Sequence, residues 1–181
     1  TVTLGGTPSG TVASAAVGAV KAVTVSGYTL GGASASNYSL PNQPTGVNVA
    51  ITAKVLTISG VSATNRVYDG TTAVALTGGS LVGVVNGDTV TLGGTPSGTV
   101  ASAAVGTGKA VTVAGYTLGG GDALNYSVTQ PTGVTVAITA KALTISGVSG
   151  TDRVYNGTTT VAVTGGSLVG VVSGDAVTLG G

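Results

Sequence analysis

The sequence predicts an all-β chain of small antiparallel β-sandwich modules strung in an elongated tandem array. Three observations carry that expectation. First, Thr1–Gly18 returns letter for letter as Thr89–Gly106, and Lys54–Gly94 returns as Lys141–Gly181 with eight differences, at 55, 63, 65, 69, 73, 76, 86 and 89. The offset is 88 as far as Tyr38/Tyr126 and 87 from Gln43/Gln130 onward, because SLPNQP is one residue longer than SVTQP. That period exceeds the roughly 20–50 residues of a solenoid coil and has the size of a small domain. Second, the apolar runs are short and rich in Val and Thr, whose branched β-carbons fit a pleated surface. Third, Gly and Asx residues punctuate these runs at close intervals, and no stretch keeps a helical period over three turns.

Within one period the strand-like runs follow in order. Val55–Ile58 leads to a turn cluster, Asn65–Gly70. Thr72–Thr77 stops at Gly78-Gly79, and Leu81–Val85 stops at Asn86-Gly87-Asp88. Asn-Gly between two apolar runs predicts a type I′ hairpin, in which both central residues take positive φ. Thr89–Leu92 then leads through Thr95-Pro-Ser-Gly98 to a separate run at Val100–Ala103, and Lys109–Leu118 is the longest run. Tyr126–Val128 and Val134–Thr139 close the unit. Some seven short strands at this spacing predict a sandwich of immunoglobulin-like size.

Apolar residues occupy even positions at Val134, Val136 and Ile138 but odd positions at Leu143 and Ile145; the same flip separates Val47, Val49 and Ile51 from Leu56 and Ile58. A one-residue change of phase moves the buried set to the opposite face. The chain is therefore expected to pass from one module to the next at Ala53-Lys54 and Ala140-Lys141. This divides it into residues 1–53, the C-terminal part of a unit; 54–140, a complete unit; and 141–181, the N-terminal part of the next. No Gly/Ser-rich or Pro-rich linker intervenes, so the array is expected to be stiff. Both ends fall inside TVTLGG or AVTLGG, which predicts a slice of a longer array or a subunit that joins head to tail, one chain's third part completing another's first.

Composition narrows the function classes. Only 6% of residues are charged, the formal net charge is +1, and Cys, Met, Trp, Phe and His are absent. That excludes the clustered Lys and Arg of a nucleic-acid footprint and any disulfide or thiolate metal framework. No apolar run is long enough to cross a bilayer as a helix, so membrane insertion is not expected. With 42% hydrophobic residues the chain is expected to be ordered.

Catalysis needs a tuned acid, base or nucleophile. There is no His base or Cys nucleophile, the five acids are Asp residues far apart, and nothing singles out Lys21, Lys54, Lys109 or Lys141 as partner of a hydroxyl. No enzyme, catalytic residue, metal site or cofactor is expected. Asp69, Asp88, Asp122, Asp152 and Asp175 are the only conceivable Ca²⁺ ligands, but each stands alone beside Gly or in a turn, where its side chain accepts backbone N–H groups. Asn65-Arg-Val-Tyr-Asp69 becomes Asp152-Arg-Val-Tyr-Asn156, so acid and amide exchange places around the same Arg and Tyr. An Asx turn accepts that exchange and a metal site does not. A Lys–Asn or Lys–Asp isopeptide crosslink is disfavoured because the chain has no Glu to assist it. Asn37, Asn125 and Asn156 head N-x-S/T triplets, which arise readily by chance in so Ser- and Thr-rich a chain. The tyrosines recur as pairs, Tyr28/Tyr116, Tyr38/Tyr126 and Tyr68/Tyr155, and are expected as core or turn anchors with the hydroxyl at the rim.

Val67-Tyr-Asp-Gly-Thr-Thr72, Leu81–Val85, Gly87-Asp88, Gly108–Val113, Ala123–Tyr126, Gln130–Gly133 and Ile138–Lys141 together resemble the YDG repeat, found in tandem in very large bacterial surface proteins of the filamentous-haemagglutinin type. The resemblance covers the whole chain. It departs at Asn156 in the third copy, at Ala19-Val20 against Thr107-Gly108, and at Ser34 against Asp122. It implies secretion, a place on the bacterial surface or in its matrix, and a stalk or fibre role in adhesion or biofilm. The expected partner is a further copy of itself, through head-to-tail or lateral contacts. The competing expectation is a module whose loops recognise a glycan or a host surface protein.

Overall fold

Val and Thr alternation produces strands throughout the chain. The computed structural model describes residues 1–180. In the first repeat lie β1 (Thr3–Val12), β2 (Gly18–Gly31) and β3 (Asn48–Ile51). The second holds β4 (Lys54–Ser59), β5 (Ser62–Ala63), β6 (Arg66–Val67), β7 (Ala73–Val74), β8 (Leu76–Thr77) and β9 (Ser80–Val82). It continues with β10 (Thr91–Val100), β11 (Gly106–Gly119), β12 (Tyr126–Val128) and β13 (Thr135–Thr139). The third contributes β14 (Thr144–Gly150) and β15 (Val163–Val169). The fold is all-β: among the described residues the only helical turns are short 3₁₀ turns at Ala35–Asn37 and Ala123–Asn125.

Two compact units are formed. One comprises Thr1–Thr57, Leu81–Gly93 and Thr117–Thr129; the other comprises Ile58–Ser80, Gly94–Tyr116 and Gln130 onward. The first unit contains the antiparallel sheet β1-β2-β3 and the pairing of β12 with β4. The second contains β13 paired with both β11 and β6, the β7–β10 pair, the β5–β8 pair and the β14–β15 hairpin. Its buried side chains are Val74, Val100, Val111, Val113, Tyr116, Val134, Val136 and Ile138, while Leu56 and Tyr126 are buried in the first. All ten lie between 56 and 138.

The alternation of Val134, Val136 and Ile138 is the inward face of β13, at 9%, 2% and 1% exposure. Their counterparts in β3 pair only with β2, and Val47 and Val49 remain 41% and 43% exposed. The same apolar sequence is thus buried only where the strands supplied by residues 54–90 are present.

Four local expectations are corrected. Thr89–Leu92 and Val100–Ala103 are not separate strands, because β10 runs straight through Thr95-Pro-Ser-Gly98. The identical segment in β1 shows why: the register steps from Gly6↔Tyr28 to Ser9↔Ser26, so Thr7 and Pro8 together oppose Gly27. Such a bulge leaves one residue unpaired, and Pro, lacking an N–H, fits there. In β11 the inward set shifts phase between Val113 and Tyr116, at the equivalent position.

The sheets are also not purely antiparallel. β12 runs parallel to β4 (Tyr126↔Lys54) and β13 parallel to β6 (Ile138↔Arg66). The run Thr72–Thr77 is broken, since Ala73 and Val74 pair with β10 while Leu76 and Thr77 pair with β5. Changing partner costs the strand its continuity at Ala75.

The Asn86-Gly87 turn exists, closed by Asp88 N–H donating to Val85 O at 3.1 Å, but it joins no hairpin, since β9 and β10 lie in different sheets, and it is not type I′. Only Gly87 has positive φ, at 96°, as in a type II turn. A type II turn asks for glycine at its second central position alone, so Ser173 can replace Asn86 before Gly174 (φ 94°).

Candidate functional site

Asp and Asn side chains are short enough to bond the backbone two residues on, and the chain uses them in this way. Asp69 Oδ1 accepts from Thr71 N–H and from the Thr71 hydroxyl, both at 2.8 Å. Arg66 closes the loop by donating to Asp69 and to the Thr71 carbonyl, so that ion pair and turn form one unit. In the third repeat Asn156 takes the same role, with Arg153 donating to Asn156 and the Thr158 carbonyl. Thr158 donates to Asn156 Oδ1 through its hydroxyl at 2.8 Å and its N–H at 3.2 Å. An amide oxygen replaces a carboxylate oxygen without changing the loop.

The two N–H and O–H donors of Thr71 hold the Asp69 carboxyl below the usual carboxylate range, with Arg66 adding to this and burial opposing it. A lowered folded pKa contributes stability above the unfolded value, near pH 4, that is lost as pH falls through the folded one. The Thr71 amide resonance is therefore expected to move during acidification below about pH 4, while that of Thr158, facing an amide, stays put. Titration by ¹H–¹⁵N NMR checks this; co-migration of the two resonances would refute it.

Similar exchanges occur elsewhere. Asp122 Oδ2 accepts from Thr89 N–H at 2.8 Å, and Ser34 Oγ accepts from the amino group of Thr1, the equivalent residue, at 3.3 Å. Asn65 Oδ1 accepts from Ala137 N–H at 2.8 Å, tying the start of the Arg66 loop to β13. Asn125 Oδ1 accepts from Val17 N–H at 3.0 Å. Lys21 Nζ donates to the Ala16 carbonyl at 2.8 Å.

One acid is kept as Asp in both copies that contain it. Asp88 accepts the Tyr126 hydroxyl, and Asp175, its equivalent, accepts the Tyr68 hydroxyl at 3.0 Å. The Tyr126 oxygen in turn accepts from Val85 N–H at 3.1 Å. Donation to Asp88 pushes the Tyr126 phenol above its ordinary value, burial and the charges of Asp88 and Asp122 act in the same sense, and the Val85 N–H opposes them. Donation to Asp175 likewise raises Tyr68, aided by burial and by the charges of Asp175 and Asp69. Tyrosine thus anchors turns through its hydroxyl.

A second device escaped the sequence. Gln130 Oε1 accepts from Tyr116 N–H at 3.1 Å while its Nε2 donates to the Tyr116 carbonyl at 2.9 Å. Gln43 makes the same pair of bonds to Tyr28, at 3.0 and 3.1 Å. The primary amide imitates a neighbouring strand. The only signal for it was that Gln recurs before Pro, four residues after Tyr126 and five after Tyr38.

Among the described residues no three His, Cys, Asp or Glu side chains cluster as metal ligands. The polar side chains described above form turns, clamps and repeat-specific anchors. All-β strands joined by a turn network that recurs within the sequence define the class of this chain. The chain belongs to the YDG domain family, whose sequence pattern matches residues 1–46, 52–133 and 139–181. No curated protein and no solved structure matches it.

Proposed function

We propose that the chain is a structural, non-catalytic module of a bacterial extracellular adhesin, stalk or surface filament. In this reading repeats 54–140 and their neighbours are immunoglobulin-like sandwiches in a tandem array that supplies length on the cell surface or in a biofilm matrix. The observation that carries it is the internal reuse of the polar residues. Asp69, Asn65 and Asp122 accept backbone N–H groups, the first within its own turn and the others from distant strands, at positions where Asn156, Asp152 and Ser34 stand in other copies, so their chemistry is that of shape. Near-identical copies also favour a spacer over recognition loops, which diverge when each meets its own ligand. In this reading the partner is a further copy of the same unit.

The competing reading, a module that binds a glycan or a host surface protein, is tested with the chain as it is. A glycan array and surface plasmon resonance against host matrix proteins are expected to show no saturable binding. Specific saturable binding that is lost on mutating one set of loops would overturn the structural reading.

A further inference from the structure

The three residues that give the family its signature differ in what they face. Asp69 turns into its own loop, bonded to Thr71 and Arg66. Tyr68 and Gly70 look elsewhere. The Tyr68 hydroxyl donates to Asp175 at 3.0 Å, across 107 residues of chain. A Cβ added at Gly70 would stand 2.9 Å from Val172 Cγ1. Val172 and Asp175 are the first and last residues of one turn, closed by Asp175 N–H donating to Val172 O at 3.1 Å. Tyr68 also shares an apolar recess with Val105, Ala140, Leu143, Val172 and Val177. Two signature residues, one on each side of Asp69, therefore meet the two ends of a single turn in the following repeat.

The third repeat supplies the control. Its signature, Tyr155-Asn156-Gly157, keeps the same internal loop bonds. Yet Tyr155 is 91% exposed, and a Cβ at Gly157 would meet nothing within 4 Å. Loop shape alone thus needs neither the phenol nor the close approach at glycine. Asp175 receives Tyr68, and its equivalent Asp88 receives its own repeat's Tyr126. A carboxylate offers two equivalent oxygens as acceptors, so one Asp has room for a phenol from its own repeat and a phenol from the repeat before.

We propose that the Tyr-Asp-Gly signature is the docking surface for the next repeat, in which Tyr68 and Gly70 hold the Val172–Asp175 turn and Asp69 only shapes the loop that presents them. The partner is a further copy of the same unit. Stiffness between consecutive repeats then comes from a tyrosine–aspartate bond and a glycine-sized gap rather than from a short linker. This rests on the array reading only in taking residues 141–180 as the start of the following repeat, and its test reads docking rather than ligand binding, so either can fail alone.

The experiment uses matched substitutions in the intact chain, with hydrogen exchange of the Asp175 amide as readout and the Asp88 amide, in the equivalent turn, as reference. Tyr68→Phe is expected to speed Asp175 exchange about fivefold, the loss of one modest hydrogen bond, and to leave Asp88 unchanged. Gly70→Ala is expected to speed it further by displacing Val172. Its backbone strain is matched by Gly157→Ala, since the two glycines have φ of 80° and 75°. Tyr155→Phe and Gly157→Ala are expected to leave Asp175 unchanged. Should Gly70→Ala unfold its loop, Tyr68→Phe still decides. Unchanged Asp175 exchange in a folded Tyr68→Phe chain, or an equal rise at Asp88, would overturn the proposal, as would an equal effect from Tyr155→Phe.

Discussion

Replacing Ile138 with Ala is expected to lower stability by about 2–5 kcal/mol, the usual cost of emptying a closed apolar site. Ile138 is 1% exposed and lies on β13 between β11 and β6, opposite Gly106 on one side and Arg66 on the other. Its neighbours Val136 and Val134 fill the same face, so the cavity has packed walls and little freedom to collapse. The chain contains its own control in Ile51, the same residue in the first repeat. Ile51 pairs across β2 at Gly18 but has no counterpart of β6 beside it, and it is only partly buried. Ile51→Ala is expected to cost well under half as much, because much of the removed surface already touches water. Urea unfolding of both variants, followed by tryptophan-free far-UV circular dichroism, measures the difference. Equal losses would mean that burial on β13 does not depend on the strands between 54 and 90.

The sequence made the strands legible wherever a single face is buried. Alternation placed β13 within one residue of its observed start, and Val134, Val136 and Ile138 are its inward face. Tyr126–Val128 was also visible as a strand, with Asn125 before it and Pro131 shortly after. What could not be read was partner choice. Nothing local distinguishes Ala73-Val74 from Leu76-Thr77, yet they join different strands, because pairing is decided by distant segments. The parallel pairs of β12 with β4 and β13 with β6 are hidden for the same reason. Thr95-Pro-Ser-Gly98 misleads in the opposite sense: Pro and Gly usually mark turns, but a bulge also uses both.

The candidate site divides along similar lines. The exchange of Asp69 for Asn156 showed from sequence alone that the residue is a turn acceptor, and the bonds to Thr71 and Thr158 agree. The destinations of the tyrosine hydroxyls were out of reach, since Asp88 and Asp175 lie 38 and 107 residues from their donors. The glutamine clamp was hidden by its economy. One side chain replaces a stretch of strand, and so leaves no periodic trace.

That clamp carries the second large effect. Gln130→Ala is expected to cost about 2–4 kcal/mol, because it leaves both the N–H and the C=O of Tyr116 without partners in a partly buried setting. Tyr116 is itself 7% exposed, so water reaches these groups poorly. Gln130→Glu separates the two bonds. A carboxylate still accepts from Tyr116 N–H, but it cannot donate to the carbonyl and places its charge against that oxygen. The repulsion raises the folded pKa of the new Glu above its unfolded value near 4.3. With a raised folded pKa, the stabilising protonated form is fully present below the unfolded value and is lost as pH rises through the folded one. The Glu variant is therefore expected to be weak at pH 7 and to regain stability relative to wild type on acidification towards pH 4, while the Ala variant shows no such recovery. Thermal melts of the two variants across pH 4–8 read this directly. An Ala variant as stable as wild type would show that the amide is decoration, and a Glu variant without pH dependence would show that the Gln130 Nε2 does not hold the Tyr116 carbonyl.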